Sequence, residues 1–124
     1  MSKEKNQGKL MLIVPVGGRP MTVVVRDVCE TLRCTMLESA FDEAWDDGIS
    51  ITVFSNDEGK VDGSMLNRFI RRADGELIDV IFGDCLIATI DRETGDTVDL
   101  PGEAVRFYRQ KYRKANVDWE RRPR

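Results

Sequence analysis

The chain contains no histidine among its 124 residues. That absence removes the commonest general base and the commonest metal ligand together. A serine–histidine triad, a cysteine–histidine nucleophile and a histidine-bearing zinc site are all excluded. Cysteine is scarce too, and its number is odd: Cys29, Cys34 and Cys85. An odd set argues against a disulfide framework and for reduced, mostly buried thiols, as in a cytoplasmic protein. No apolar run approaches the roughly 18 residues of a membrane-spanning helix. The N-terminal residues are polar, and the apolar stretch after them holds Pro15 and two glycines without a small-residue cleavage site, so no signal peptide is read.

A hydrophobic content of 41% with 33% charged residues describes a globular chain, not a disordered one. The length suits one domain. The expected division is a disordered tail over residues 1–8, an α+β domain over 9–115 and a flexible basic tail over 116–124. Charge is unevenly placed. Residues 27–62 hold ten acids against only Arg33 and Lys60, whereas residues 103–124 hold eight bases against three acids. Such asymmetry points to a polar contact surface or to compensation between the middle and the end.

Leu10–Val16 and Met21–Arg26 are β-rich and joined by Gly17-Gly18-Arg19-Pro20, which predicts a hairpin. Pro15 near the end of the first strand predicts an edge position. Asp27 is placed to cap a short helix holding Val28, Thr31 and Leu32. Met36–Phe41 reads equally as helix or strand. Asp42–Gly48 is an acidic turn, and Ile49–Phe54 alternates as a strand. One helical turn is expected over Met65–Ile70. Leu77–Ile90 is almost wholly apolar and predicts a central strand or strand pair, with Gly83 at a bulge. A last helix over Pro101–Ala115 has Val105, Tyr108, Tyr112 and Ala115 on one stripe. The whole predicts a mainly antiparallel sheet of about four to six strands with one or two helices packed on one face.

The segment Asn56–Arg68 separates two apolar runs and carries acids, two glycines and a lysine. It fails as a calcium loop: counted from Asp57, the third position is Gly59 and the twelfth is Arg68. It fails as a P-loop because Val61 follows Lys60. Two readings remain. One is a polar connection whose Asn67 anchors backbone and whose Arg68 pairs with Asp79 or Glu58. The other is an anion clamp built from Asn56, Lys60, Asn67 and Arg68. The acids Asp42, Glu43, Asp46 and Asp47, beside Phe41 and Trp45, form a candidate partner surface, with a solvated hairpin tip as the plain alternative. The basic end, with Tyr112 and Trp119, is a candidate for gripping nucleic acid or else a solubilising terminus.

Asn56–Arg68 resembles the pattern Asn-x-Glu-Gly-Lys-x-x-Gly-x-x-x-Asn-Arg. Asp74–Gly83 resembles Asp-Gly-x-x-x-Asp-x-Ile-x-Gly, and Val98–Tyr112 resembles a leucine followed by a helix ending in aromatic and basic residues. These patterns are similar to those of the phage and mobile-element domain of unknown function family thirty-eight forty-six. The resemblance covers Leu10–Tyr112 and implies a phage, prophage or integrative-element setting in a bacterial cytoplasm. It implies no known reaction. It points to Asn56, Gly59, Lys60, Gly63, Asn67, Arg68, Asp79 and Gly83, and it favours a strand at Met36–Phe41.

The function expected is that of a non-enzymatic accessory protein binding a host- or element-encoded macromolecule, with counter-defence against a restriction or CRISPR effector as its concrete form. A small-ligand binder for a nucleotide or phosphorylated signal is the first alternative. Nucleic-acid binding through the basic tail is the second. No catalytic residue, metal or cofactor is expected, and no membrane partner.

Overall fold

The computed structural model describes residues 8–34, 36–57, 64–72 and 74–114. Its elements are β1 (Lys9–Val14), β2 (Met21–Val25), α1 (Val28–Leu32), β3 (Leu37–Trp45), β4 (Ile49–Asn56), β5 (Leu66–Arg71), β6 (Leu77–Phe82), β7 (Cys85–Asp91), β8 (Thr97–Val98) and α2 (Gly102–Lys111). The main sheet is antiparallel in the order β2-β1-β7-β4-β3, with β8 also paired to β7. β5 and β6 form a separate two-stranded ribbon. The α+β, mainly antiparallel fold is therefore the one expected. The expected tails fall mostly outside the described residues.

β7 sits at the centre, and Cys85–Thr89 are buried without interruption. A strand covered on both faces needs no polar alternation, so its sequence is a continuous apolar run. Leu12, Val14, Ile51, Val53, Cys85 and Ile87 point to one face, where Ala104, Tyr108 and Tyr112 of α2 and Ile70 and Ile81 of the ribbon cover them. Met11, Leu86 and Ala88 point to the other face, where Val28 and Leu32 of α1 pack. The two helices thus divide between the faces instead of sharing one.

Several local expectations hold for the physical reason given. β1 and β2 form the antiparallel hairpin, with Gly17 at φ +73° in its turn. Asp27 caps α1 by accepting the Glu30 amide at 3.0 Å. Met36–Phe41 resolves to strand, because Leu37–Trp45 pairs along β4 with a bulge between Ser39 and Phe41.

Others are corrected. β1 is internal, between β2 and β7, and Pro15 lies just past its end. Leu77–Ile90 is two strands in different sheets, and Gly83, at φ +80°, is the turn that separates them. Met65–Ile70 is not a helical turn: β5 begins at Leu66. The buried stripe of α2 is Ala104 and Tyr108, continued by Tyr112 at the cap, and Ala115 lies outside the described residues. Of the cysteines only Cys85 is buried, although all three are free thiols.

Candidate functional site

Asn67 and Arg68 are consecutive in β5, yet each is only 2% exposed. In a regular strand the two side chains would point to opposite faces. The register shifts between Leu66 and Arg68, which leaves Asn67 as the extra residue of a β-bulge. The bulge turns both side chains inward. Asn67 Nδ2 donates to the Val14 and Gly83 carbonyls, each at 2.8 Å. One amide thus ties the end of β1 to the turn between β6 and β7.

Arg68 ties three further pieces of backbone. Its Nε and Nη2 donate to the Tyr112 carbonyl at 3.1 and 2.9 Å. Nη2 also donates to the Gly18 carbonyl in the β1–β2 turn. Nη1 donates to Asn67 Oδ1 at 2.7 Å and to the Asn67 carbonyl at 3.4 Å. Those bonds engage all five N–H groups of a guanidinium. The acceptors are neutral oxygens, not the carboxylate of Asp79 that the sequence suggested; Glu58, the other suggested partner, lies outside the described residues. Tyr112 is the C-cap of α2, so its carbonyl stands at the negative end of the helix dipole and offsets part of the buried charge. Burial still holds the Arg68 pKa below its ordinary value.

Cys85 lies deep beneath this clamp. Burial pushes its thiol up from 9.0 to about 12, opposed by the charge of Arg68. Burial also raises the phenols of Tyr108 and Tyr112. All three groups need their protons in the folded state, so the sign is fixed. The stability tied to Cys85 is complete below pH 9.0 and is lost as pH rises toward about 12. Near pH ~11 the expected loss is on the order of 2–3 kcal/mol. Urea midpoints across this range should fall with pH, and Cys85→Ala should flatten the decline below the tyrosine range. A midpoint that does not move between neutral pH and pH ~11 would refute this assignment.

The acidic segment splits between two environments. Glu43 and Trp45 face α2, where Glu43 accepts a hydrogen bond from the Tyr108 hydroxyl. Trp45 meets the Phe107 ring edge-on at 5.7 Å, and Phe107 is 46% exposed. Asp42 is exposed on the opposite face, within reach of Ser39. Asp46 and Asp47 are exposed in the β3–β4 turn, with Asp47 in the left-handed region at φ +65°. The side chain of Phe41 lies outside the described residues, as does Lys60. Asn56 ends β4 opposite Leu37. Of the four residues proposed for an anion clamp, the structure shows Asn67 and Arg68 in mutual contact, and Arg68 has no N–H left to offer.

A feature not read from the sequence lies above the clamp. Arg19 of the β1–β2 turn, Arg106 and Arg109 of α2, and Arg113 just beyond it line one cleft of about 290 Å³ together with Pro20 and Gln110. The spacing of Arg106, Arg109 and Arg113 along one helical face was visible in the sequence. The arrival of Arg19 beside them was not.

Fold and site together define a small α+β domain with an internal Asn-Arg clamp and separate acidic and basic surfaces. The chain belongs to the family described as Domain of unknown function (DUF3846), whose model matches residues 10–113. No curated protein and no solved structure matches it.

Proposed function

We propose that the protein is a non-enzymatic accessory protein that docks a macromolecular partner along β3. The observation that carries this reading is the edge itself. β3 is nine residues long and ends the sheet, and among the described residues no strand covers its outer side. An uncovered edge of that length is a template for strand addition by another chain. Asp42, Asp46 and Asp47 along it and in its turn discourage self-pairing and favour a basic partner. Trp45 and Phe107 supply the aromatic anchor beside it. Arg68, which a small-ligand clamp would need, spends its donors inside the fold. The partner class is a host- or element-encoded protein, and inhibition of a restriction or CRISPR effector in a bacterial host is the concrete form.

The test is partner capture from host cells by the wild-type chain and by Asp42→Lys/Asp46→Lys/Asp47→Asn. Asparagine keeps the left-handed backbone at position 47, and Glu43 is left alone because it bonds Tyr108. Capture by the wild type should fall at least ~10-fold in the variant, about 1.4 kcal/mol. Equal capture by both proteins would sink the proposal.

A further inference from the structure

We propose that the cleft formed by Arg19, Arg106, Arg109 and Arg113 is a binding site for the phosphodiester backbone of a single-stranded nucleic acid. This proposal shares Phe107 and its Trp45 brace with the docking surface beside β3, but its charged residues are different ones and opposite in sign.

The first argument is electrostatic. All four arginines are exposed, and among the described residues none of their guanidiniums has a hydrogen bond or ion pair. Four like charges around one cleft repel one another. Surface arginines usually spread apart or find acids, as Arg72 does with Glu76 at 3.3 Å. No acid among the described residues lines this cleft. An anion entering it relieves the repulsion, and a planar guanidinium presents paired donors that match phosphate oxygens.

The second argument is architectural. Arg68 holds the Gly18 carbonyl and the Tyr112 carbonyl from beneath. The residues that follow those two carbonyls are Arg19 and Arg113. The buried arginine therefore fastens together the two backbone segments that present the outer arginines of the cleft. Pro20, which is buried, restricts the turn further. The site is thus built on fixed backbone, so little ordering of main chain is needed when a ligand binds.

The third argument concerns the shape of the ligand. Arg106, Arg109 and Arg113 lie along one face of α2 and its end, a span of about 10 Å at ~1.5 Å per residue. A row of that length reaches more than one phosphate of an extended strand. A compact anion would leave part of the row unused. Phe107 follows Arg106 directly, is 46% exposed and is braced by Trp45. The ring lies outside the cleft lining, on the flank of the helix next to Arg106, where a base can stack while the backbone follows the arginines. An acidic peptide would engage the charges and gain nothing from the ring.

The experiment is fluorescence anisotropy of a labelled oligothymidylate with the full chain over a salt series. Binding should weaken steeply with salt, with a log–log slope of roughly −3 for four phosphate contacts. Arg106→Glu/Arg109→Glu should weaken binding at least ~100-fold, and each single arginine-to-glutamine change should reduce the slope by about 0.7. Phe107→Ser should weaken binding with the slope unchanged. Because the arginine side chains are exposed, their variants should keep the wild-type melting temperature, which is measured alongside; Phe107→Ser also loses contacts with Trp45 and Tyr108, so its binding is measured well below its own melting transition. The acid-to-lysine variant on β3 should retain binding, so failure of one proposal is separable from failure of the other. The proposal is overturned if salt-sensitive binding is absent, or if it survives the double reversal. It is equally overturned if Arg121→Gln/Arg122→Gln/Arg124→Gln abolishes binding while the cleft reversal does not. Equal competition by polyglutamate, or equal affinity for a matched duplex, would replace the single strand by another polyanion and likewise overturn it.

Discussion

Arg68→Met is expected to lower stability by about 3–5 kcal/mol, the range seen when one member of a buried, charged hydrogen-bonded network is removed. The acceptors stay behind. The Gly18 and Tyr112 carbonyls and Asn67 Oδ1 lose their donor at once, and each buried acceptor left unpaired costs ~1–3 kcal/mol. Relief from burying a guanidinium offsets part of that loss. At roughly 4 °C per kcal/mol for a domain of this size, the melting temperature should fall by about 10–20 °C. Arg68→Lys restores the charge but supplies three donors on a flexible stem in place of a five-donor fork. It should recover less than half of the lost stability. Thermal unfolding of the two variants decides the matter. A shift of only ~1–2 °C for methionine would mean that the bonds seen here carry little weight.

Asn67→Ala is expected to cost about 2–4 kcal/mol. The amide serves Val14 and Gly83, which lie 53 and 16 residues away in sequence. Its loss unties the β6–β7 turn from β1 and removes the Oδ1 acceptor of Arg68. The two residues share a 2.7 Å bond, so their effects should not add. In a double-mutant cycle the sum of the single losses should exceed the loss of Asn67→Ala/Arg68→Met by about 1–3 kcal/mol. Urea unfolding of the four proteins gives the coupling. Strict additivity would show that the two side chains act independently.

The fold was legible where one local signal decides the element. The turn Gly17-Gly18-Arg19-Pro20, the Asp27 cap and the apolar run through β7 all carry such signals. Elements set by irregular backbone were hidden. A bulge puts Asn67 on the same side as Arg68 within a run of four buried residues, Asn67–Ile70, which defeats the period-two pattern of a strand. Gly83 looked like a bulge because the apolar sequence continues through it, yet it hands the chain from the ribbon to the main sheet. The face chosen by α1 depends on how a short connection leaves β2, which no periodicity encodes.

The same division explains the site. Asn67 and Arg68 stood out by composition and by family pattern, but their partners are backbone carbonyls far away in sequence. A carbonyl belongs to every residue, so sequence cannot single out the ones that accept. Three of the cleft arginines share a helix face that can be counted. Arg19 comes from a distant turn, whose preceding carbonyl Arg68 bonds.

Whether Arg68 works inside the fold or at a ligand is tested most directly by nitrogen-15 NMR of the arginine side chains in the native protein. With its donors buried and bonded, Arg68 should give a slowly exchanging Nε–H and separate Nη signals, unlike Arg19, Arg106, Arg109 and Arg113. A fast-exchanging, rotationally averaged Arg68 guanidinium, indistinguishable from those four, would contradict the internal clamp.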